Sequence, residues 1–538
     1  MPRILICDPL ERSGVELLTA AGFEVEQRPG LTGEALAAAV RAADGVIVRS
    51  GTAITADALE RPGRLRAVVR AGVGVDNIDV PAATRRGIVV MNTPGGNTIS
   101  AAEHTIALLL ALARHIPAAD ADLRAGNWNR SRFLGAQIAG KTLGIVGLGR
   151  IGREVARRAA GLDMHAIGFD PFLTADRAAA LGLEVVEHLE ALLSRCDFLT
   201  VHTPLTDQTR DLIGAAEIAR LKPGCRLINA ARGGIINESA AAAALAAGHL
   251  AGAAFDVFVT EPLPADSPLR SAQHVILTPH LGASTREAQD AVAREAAQVL
   301  IDFLTRGVIQ FAVNMVAVDR KELDEMRLFV DLARRLGLLH AQMVRGSIRE
   351  AHVICRGEIA RRNTRLLTTA FVAGLLESRE EAVNVVNAAV LAQERGIEII
   401  ESSSPTSIDF HSVLQTDVVT DQKTYTAAGT LFGNQFLRLV QLGRHRLDAF
   451  LDGVLLILTH RDRPGLIGHI GTVFGQCGVN IAQMTVGRET PGGEAIAVLN
   501  LDSPPPEPAL IAVQQHPDVS SVRVVVLPPL GQLPAWLG

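Results

Sequence analysis

The stretch TLGIVGLGRIGREVARRAA, residues 142–160, constrains the fold more than any other part of this chain. An apolar run of strand length leads into Gly147, Gly149 and Gly152, spaced G-x-G-x-x-G, and an amphipathic helical pattern follows. Each glycine answers a physical need at a strand–helix turn that binds a dinucleotide. Gly147 permits the tight turn, Gly149 lets backbone approach a pyrophosphate, and Gly152 allows close helix–strand packing. The helix N-terminus, where Arg150 and Ile151 sit, offers free N–H groups and a partial positive charge to phosphates. Next, HAIGFDPF ends a strand on Asp170, 18 residues after Gly152. An acid there accepts the 2′-hydroxyl of the adenosine ribose and repels a 2′-phosphate, so the pattern predicts NAD rather than NADP.

The surroundings read as repeated strand–helix units. RILICD, GVIVRS and LRAVVRAG are strand-like with helix-like EALAAAVRAA between them, and SAAEHTIALLLALARHI connects to a second run: TLGIVG, HAIGFD, DFLTVHT, CRLINAA, LAGAAFDVF and HVILTP. That alternation predicts parallel α/β sheets. The helix-like REAQDAVAREAAQVLIDFL leads back out, and residues from about 317 to 452 show mixed α/β patterning with no assignable reaction motif. From Gly453 the pattern is strand Val454–Thr459, helix Pro464–Cys477, strands Val479–Val486 and Glu494–Leu501, helix Pro508–Gln515 and strand Ser521–Leu527, a βαββαβ, ferredoxin-like order.

The totals exclude several classes of function. A net charge of −5 gives no footprint for nucleic acid. The longest apolar run, TIALLLALA, is too short to cross a bilayer, and MPRILICDPL reads as an opening strand and not as a signal peptide, so a cytoplasmic protein is expected. Cys7, Cys196, Cys225, Cys355 and Cys477 form no CxxC pair and no zinc spacing, so neither a metal nor a disulfide framework is expected.

Ligands of open α/β sheets bind beyond the carboxyl ends of the strands. RLINAARGG ends on Arg232, AAFDVFVTEP places Asp256 in a strand and Glu261 in the loop after it, and VILTPHLGAS ends on His280. These three side-chain types have a joint chemistry. Arginine holds a carboxylate through two parallel hydrogen bonds, histidine exchanges a hydroxyl proton, and glutamate orients the imidazole and stabilises its charged form. His202, in VHTPLT, is expected to be structural or to line the cofactor loop.

GLGRIG, NAARGGIINE, FDVFVTEP and TPHLGAST resemble the successive signatures of D-isomer-specific 2-hydroxyacid dehydrogenases, over about residues 1–312. The resemblance implies Arg232, Glu261 and His280 as the catalytic set, with Thr203, Ala230, Arg232, Asp256, His280 and Gly282 added to the glycine loop and Asp170 around NAD. It implies a Rossmann-type NAD domain (98–283) inserted in a flavodoxin-like substrate domain (1–97 and 284–316), with a cleft that closes on substrate. VRSGTAIT and VVRAGVGVDNIDV then supply a substrate-side set of Arg49, Ser50, Arg70, Gly72, Val73 and Gly74; arginines at strand ends facing the cleft point to a second anionic group. Arg130 and Arg132 are implied to lie near a subunit interface.

The length and the extra C-terminal segments resemble the long branch of this family. That implies an α/β intervening domain (317–452), an ACT regulatory domain (453–538), oxidation of 3-phospho-D-glycerate to 3-phosphohydroxypyruvate on the way to L-serine, a homotetramer, and L-serine as effector. His460, Asp462 and Asn480 are the implied effector residues. The alternatives are a relative acting on glyoxylate, hydroxypyruvate or 2-ketoglutarate, and an NAD-sensing regulator of the same fold. In the intervening segment, LGRHRLDAF puts Arg444, His445 and Arg446 together, read as a solvated basic turn or an anion site.

Overall fold

The computed structural model describes residues 1–173, 183–315, 320–377, 383–406, 409–433, 435–529 and 531–532. Its first sheet is wholly parallel: β1 (Arg3–Ile6), β2 (Glu24–Gln27), β3 (Gly45–Val48), β4 (Ala67–Arg70) and β5 (Val89–Asn92), in the order β2-β1-β3-β4-β5. This is the flavodoxin-like order, and its topological switch lies between β1 and β3. The chain leaves through helix Thr98–Ala113 and returns as helix Arg286–Arg306. The return helix packs so tightly on helix Arg12–Ala20 that a Cβ at Gly14 would lie 2.7 Å from the carbonyl oxygen of Ala293. Asn314 closes the return by accepting a hydrogen bond from Val90 N–H.

Between exit and return lies a second parallel sheet: β6 (Thr142–Val146), β7 (His165–Phe169), β8 (Glu184–Val185), β9 (Phe198–Val201), β10 (Cys225–Asn229), β11 (Leu250–Phe255) and β12 (Val275–Leu277), in the order β12-β11-β10-β9-β6-β7-β8. That is a Rossmann order extended by a seventh strand, with its switch between β6 and β9. The glycine loop follows β6, so the switch points of the two sheets can serve one cleft.

The third sheet holds β13 (Ile348–Gly357), β14 (Glu398–Ser404), β15 (Ser412–Thr420), β16 (Thr424–Phe432), β17 (Phe436–Leu442) and β18 (His445–Phe450); only the β13–β14 pair is parallel. The fourth is antiparallel, β20-β21-β19-β22, from β19 (Val454–Arg461), β20 (Ile481–Arg488), β21 (Glu494–Leu501) and β22 (Val519–Val526). Helices Leu466–Gln476 and Glu507–Gln514 complete the βαββαβ unit. Leu455, Ile457, Val498 and Val525 share one apolar core with the third sheet. Arg335, fully buried, binds Asp331 and donates to the carbonyls of Leu451, Pro528 and Pro529, which ties these two units together.

Parallel α/β sheets followed by a βαββαβ unit are what the pattern predicts, and the Rossmann-type and flavodoxin-like orders of the first two sheets are what the resemblance implies. The domain limit expected at 316–317 falls outside the described residues. An apolar face of Leu466, Ile467, Ile470, Val473 and Phe474 would be expected in the core of helix Leu466–Gln476, yet Ile467 is 43% exposed. Leu466, Ile470 and Phe474 fill the core instead, a narrower apolar stripe of period three to four.

Candidate active site

Gly147 has φ 92, and a Cβ there would meet the carbonyl of His202 at 2.7 Å; one at Gly152 would lie 2.0 Å from the Gly147 carbonyl oxygen. Gly149 is different: a Cβ there meets nothing within 4 Å. Two glycines are therefore required by protein packing, and the third faces open space at the N-terminus of helix Arg150–Ala160. Asp170 caps β7 and accepts hydrogen bonds from Leu148 N–H at 2.9 Å and Phe172 N–H at 3.0 Å, so it also braces the glycine turn.

Beside this loop lies a cavity of about 420 Å³, lined by residues of both sheets, among them Val73, Gly74, Asp76, Arg150, Ile151, Thr203, Ala230, Arg232, His280 and Gly282. Asn97 Oδ1, His202 Nδ1 and Thr203 Oγ1 belong to lining residues and are buried without a protein partner. Burial pushes His202 down to about 4, so it is neutral. An open glycine loop at a helix N-terminus, an acid at the next strand end and orphaned polar atoms in the wall fit a dinucleotide, with its nicotinamide end towards His280.

His280 stands in the left-handed backbone region, φ 56, which costs a non-glycine residue energy unless its surroundings impose it. Asp256 imposes it. The Asp256 carbonyl accepts from His280 N–H at 2.8 Å, and its carboxylate accepts from Leu281 N–H at 2.7 Å and Gly282 N–H at 2.9 Å. Thr278 and His104 add hydrogen bonds at 2.6 and 3.1 Å. Asp256 is fully buried. Burial opposes its ionisation, but the hydrogen bonds from His104, Leu281 and Thr278 hold it below the usual carboxylate range. With its oxygens committed to this loop, Asp256 shapes the wall from behind instead of presenting a free carboxylate.

The His280 Nδ1–H donates to Glu261 Oε2 at 2.8 Å, and Glu261 Oε1 accepts from Phe258 N–H at 3.0 Å. Burial opposes the charge on Glu261, yet the bonds from His280 and Phe258, with Arg232 nearby, hold it below its ordinary value. With Nδ1 occupied, Nε2 is the imidazole nitrogen left for chemistry. A second cavity of about 550 Å³ touches the other side of this pair and includes Ser50.

Arg232 comes from the second sheet, and Arg49 and Arg70 from the ends of β3 and β4 in the first. Asn77 gathers the latter two: its Oδ1 accepts from Arg70 Nε at 3.1 Å, and its Nδ2 donates to the Arg49 carbonyl at 2.6 Å. Asp8 accepts from Arg49 N–H at 2.6 Å. Burial, together with the charges of Arg232 and Arg49, pushes Arg70 down to about 10. It stays protonated at neutral pH, close enough to Arg232 and Arg49 to feel their charges, while Arg49 Nη1 donates to the Pro9 carbonyl at 3.0 Å. Gly72 gives Arg70 room: a Cβ there would lie 2.3 Å from Nη1.

The structure thus gathers Arg232, Glu261, His280 and the residues of both loops around one cleft. It does not gather the expected effector set. β19 and β20 run the same way, each pairing antiparallel with β21. Asp462 follows β19 and Asn480 precedes β20, so they lie at opposite ends of eight-residue strands, roughly 25 Å apart at about 3.3 Å per residue. Asp462 binds Arg488 and Gly492 N–H, Asn480 binds Asp502, and buried His460 leaves Nε2 without a partner. The basic turn of the third sheet pairs across to the fourth unit through Arg444, on Glu489 and Glu494, and within its own unit through Arg446, on Asp409, while buried His445 leaves Nε2 without a partner. Sequence reasoning missed Asp8, Asp76, Asn77 and His104; the available signal was polar residues inside apolar or glycine-rich runs.

Residues 106–282 match the family model for the D-isomer specific 2-hydroxyacid dehydrogenase NAD binding domain, 325–443 that for the D-3-phosphoglycerate dehydrogenase intervening domain, and 454–518 that for the ACT domain. The D-3-phosphoglycerate dehydrogenase of Methanocaldococcus jannaschii is 40% identical over 528 residues, 98% of this chain and 100% of that one. The Bacillus subtilis protein of the same name is 39% identical, over 98% of this chain and all of its own. Among solved structures, the NAD-dependent formate dehydrogenase of Staphylococcus aureus in complex with NAD superimposes with a TM-score of 0.53 at 30% identity, covering 59% of this chain and 100% of its own. The TT0316 protein of Thermus thermophilus gives 0.52 at 36%, covering 56% and 96%. By full-length similarity and domain order, the chain belongs to the D-3-phosphoglycerate dehydrogenase family of D-isomer-specific 2-hydroxyacid dehydrogenases.

Proposed function

We propose that this protein oxidises 3-phospho-D-glycerate to 3-phosphohydroxypyruvate, opening the phosphorylated route to L-serine. The observation that carries the reading is the His280–Glu261 pair at 2.8 Å in a cleft where Arg232 of the second sheet meets Asp76 of the first, next to Asn77, which binds Arg70 and the Arg49 carbonyl. Arg232 pairs with the substrate carboxylate. Arg49 and Arg70, with the backbone N–H groups of Val73 and Gly74, take the phosphate; Ser50 meets the substrate from the cavity on the other side of the His280–Glu261 pair. His280 Nε2 removes the hydroxyl proton at C2, while Glu261 holds Nδ1–H and balances the charge the ring gains. NAD, when bound, accepts the hydride from C2; Gly147, Gly149, Gly152 and the helix N-terminus hold its pyrophosphate, and Asp170 its ribose. The test is NAD reduction dependent on 3-phospho-D-glycerate and lost in His280→Ala; wild-type protein without that activity would refute the reading.

The division into domains at 1–97, 98–283, 284–316, 317–452 and 453–538 belongs to the same proposal. So does a homo-oligomer: Ile116, Leu123, Trp128 and Leu134 are strongly exposed apolar residues on one segment that also carries Arg130 and Arg132, and such a patch favours burial against a second copy. L-serine is the proposed effector of the ACT unit. Given the separation of Asp462 from Asn480, one serine touching both must bridge two chains. Asp462→Ala and Asn480→Ala should each abolish slowing by serine.

A further inference from the structure

Arg232 has a partner across the cleft that neither the motif nor the proposed mechanism uses. Its Nε lies 3.2 Å from Oδ2 of Asp76, which sits on the substrate-side turn GVGVDN. Its Nη1 donates to the carbonyl of Ala231 at 2.5 Å. Those contacts fix the guanidinium plane and leave Nη2 against Gly74, where a Cβ would meet it at 2.0 Å and Asp76 Oδ2 at 2.7 Å. Asp76 is strongly exposed, so its ion pair in water adds little to folding stability. Its geometry matters more. Arg232 belongs to the second sheet and Asp76 to the first, so the pair can form only while the two faces of the cleft stand this close. Asn77, the next residue, organises Arg70 and Arg49.

We propose that Asp76 is a positioning residue for the carboxylate clamp: by holding Nε it sets the plane in which the remaining Nη1 and Nη2 hydrogens of Arg232 meet the substrate carboxylate, and it makes that alignment depend on closure of the cleft. The inference rests on the reading of Arg232 as the carboxylate clamp. Since the carboxylate is common to phosphorylated and plain hydroxypyruvate, removing Asp76 affects both alike, whereas the phosphate arginines affect one.

The experiment is steady-state NADH oxidation with 3-phosphohydroxypyruvate and with hydroxypyruvate, for wild type, Asp76→Ala and Asp76→Asn, with NADH affinity followed by fluorescence. Asp76→Ala should raise KM about tenfold, by the same factor for both substrates, with kcat within about threefold and NADH affinity within about twofold. Asp76→Asn keeps an acceptor for Nε and should return KM to within about threefold of wild type. An unchanged KM overturns the proposal. So does a rise confined to the phosphorylated substrate, a parallel loss of NADH affinity, or an asparagine variant as impaired as the alanine one. Wild-type protein that treats both substrates equally refutes the phosphate reading instead, and leaves the Asp76 shift to be read on either.

Discussion

Nδ1 of His280 and Oε2 of Glu261 stand 2.8 Å apart, on loops that follow adjacent parallel strands, β12 and β11. This contact fixes which imidazole nitrogen faces the cavity. Replacing His280 by Ala should lower kcat about 100-fold or more, because a positioned proton acceptor contributes factors of that size. NADH affinity should stay within about twofold, since the glycine loop is untouched. Near-normal turnover in that variant would remove His280 from the chemistry.

The glycine loop separates binding from folding. Gly149→Ala adds a methyl to open space, so the melting temperature should hold while NADH affinity falls by about tenfold or more. Gly152→Ala drives a methyl into the Gly147 carbonyl and should lower the melting temperature as well. Thermal melts and NADH fluorescence titration on the two variants check the contrast; equal effects on both measurements would contradict it.

Arg70 is held by Asn77 and repelled by Arg232 and Arg49. Arg70→Ala should raise KM for 3-phosphohydroxypyruvate by about 10-fold or more, the scale of a lost charge-assisted contact, and change that for hydroxypyruvate little. Equal changes on both substrates would place Arg70 outside the phosphate site.

Much of this was legible in the sequence for definite reasons. The glycine loop, Asp170 and the Arg232–Glu261–His280 set sit at strand ends in parallel sheets, where apolar runs mark the strands and their last residues mark the cleft. What escaped lacked that signal. β2 reads EVEQ, half charged, because it is an edge strand in contact with only one neighbour. His104 is half-buried, within a helix pattern otherwise read as greasy packing, and its partner Asp256 is 22 residues from the loop end it braces at Thr278. Asp462 and Asn480 flank a helix in sequence but lie at opposite ends of the sheet that helix crosses, a separation that spacing along the chain does not reveal.

Buried histidines give the stability a pH slope. Burial pushes His202 and His340 from 6.5 down to about 4. Between those values the unfolded chain binds protons that the folded chain cannot, so stability falls as pH drops from 6.5 towards 4. The loss is on the order of 3 kcal/mol per histidine at full protonation of the unfolded state. Melting temperatures measured across that window should show a shallower slope in His340→Gln than in wild type. Superimposable slopes would show that His340 titrates normally.

The central claim is that a proton-transfer histidine and arginines from both sheets make a phosphorylated hydroxy acid the substrate. NADH oxidation with 3-phosphohydroxypyruvate against hydroxypyruvate tests it most directly. The account predicts a kcat/KM at least about 100-fold higher for the phosphorylated substrate, the sum of two charge-assisted contacts. Equal values for the two would contradict it and remove the arginines of the first sheet from substrate recognition.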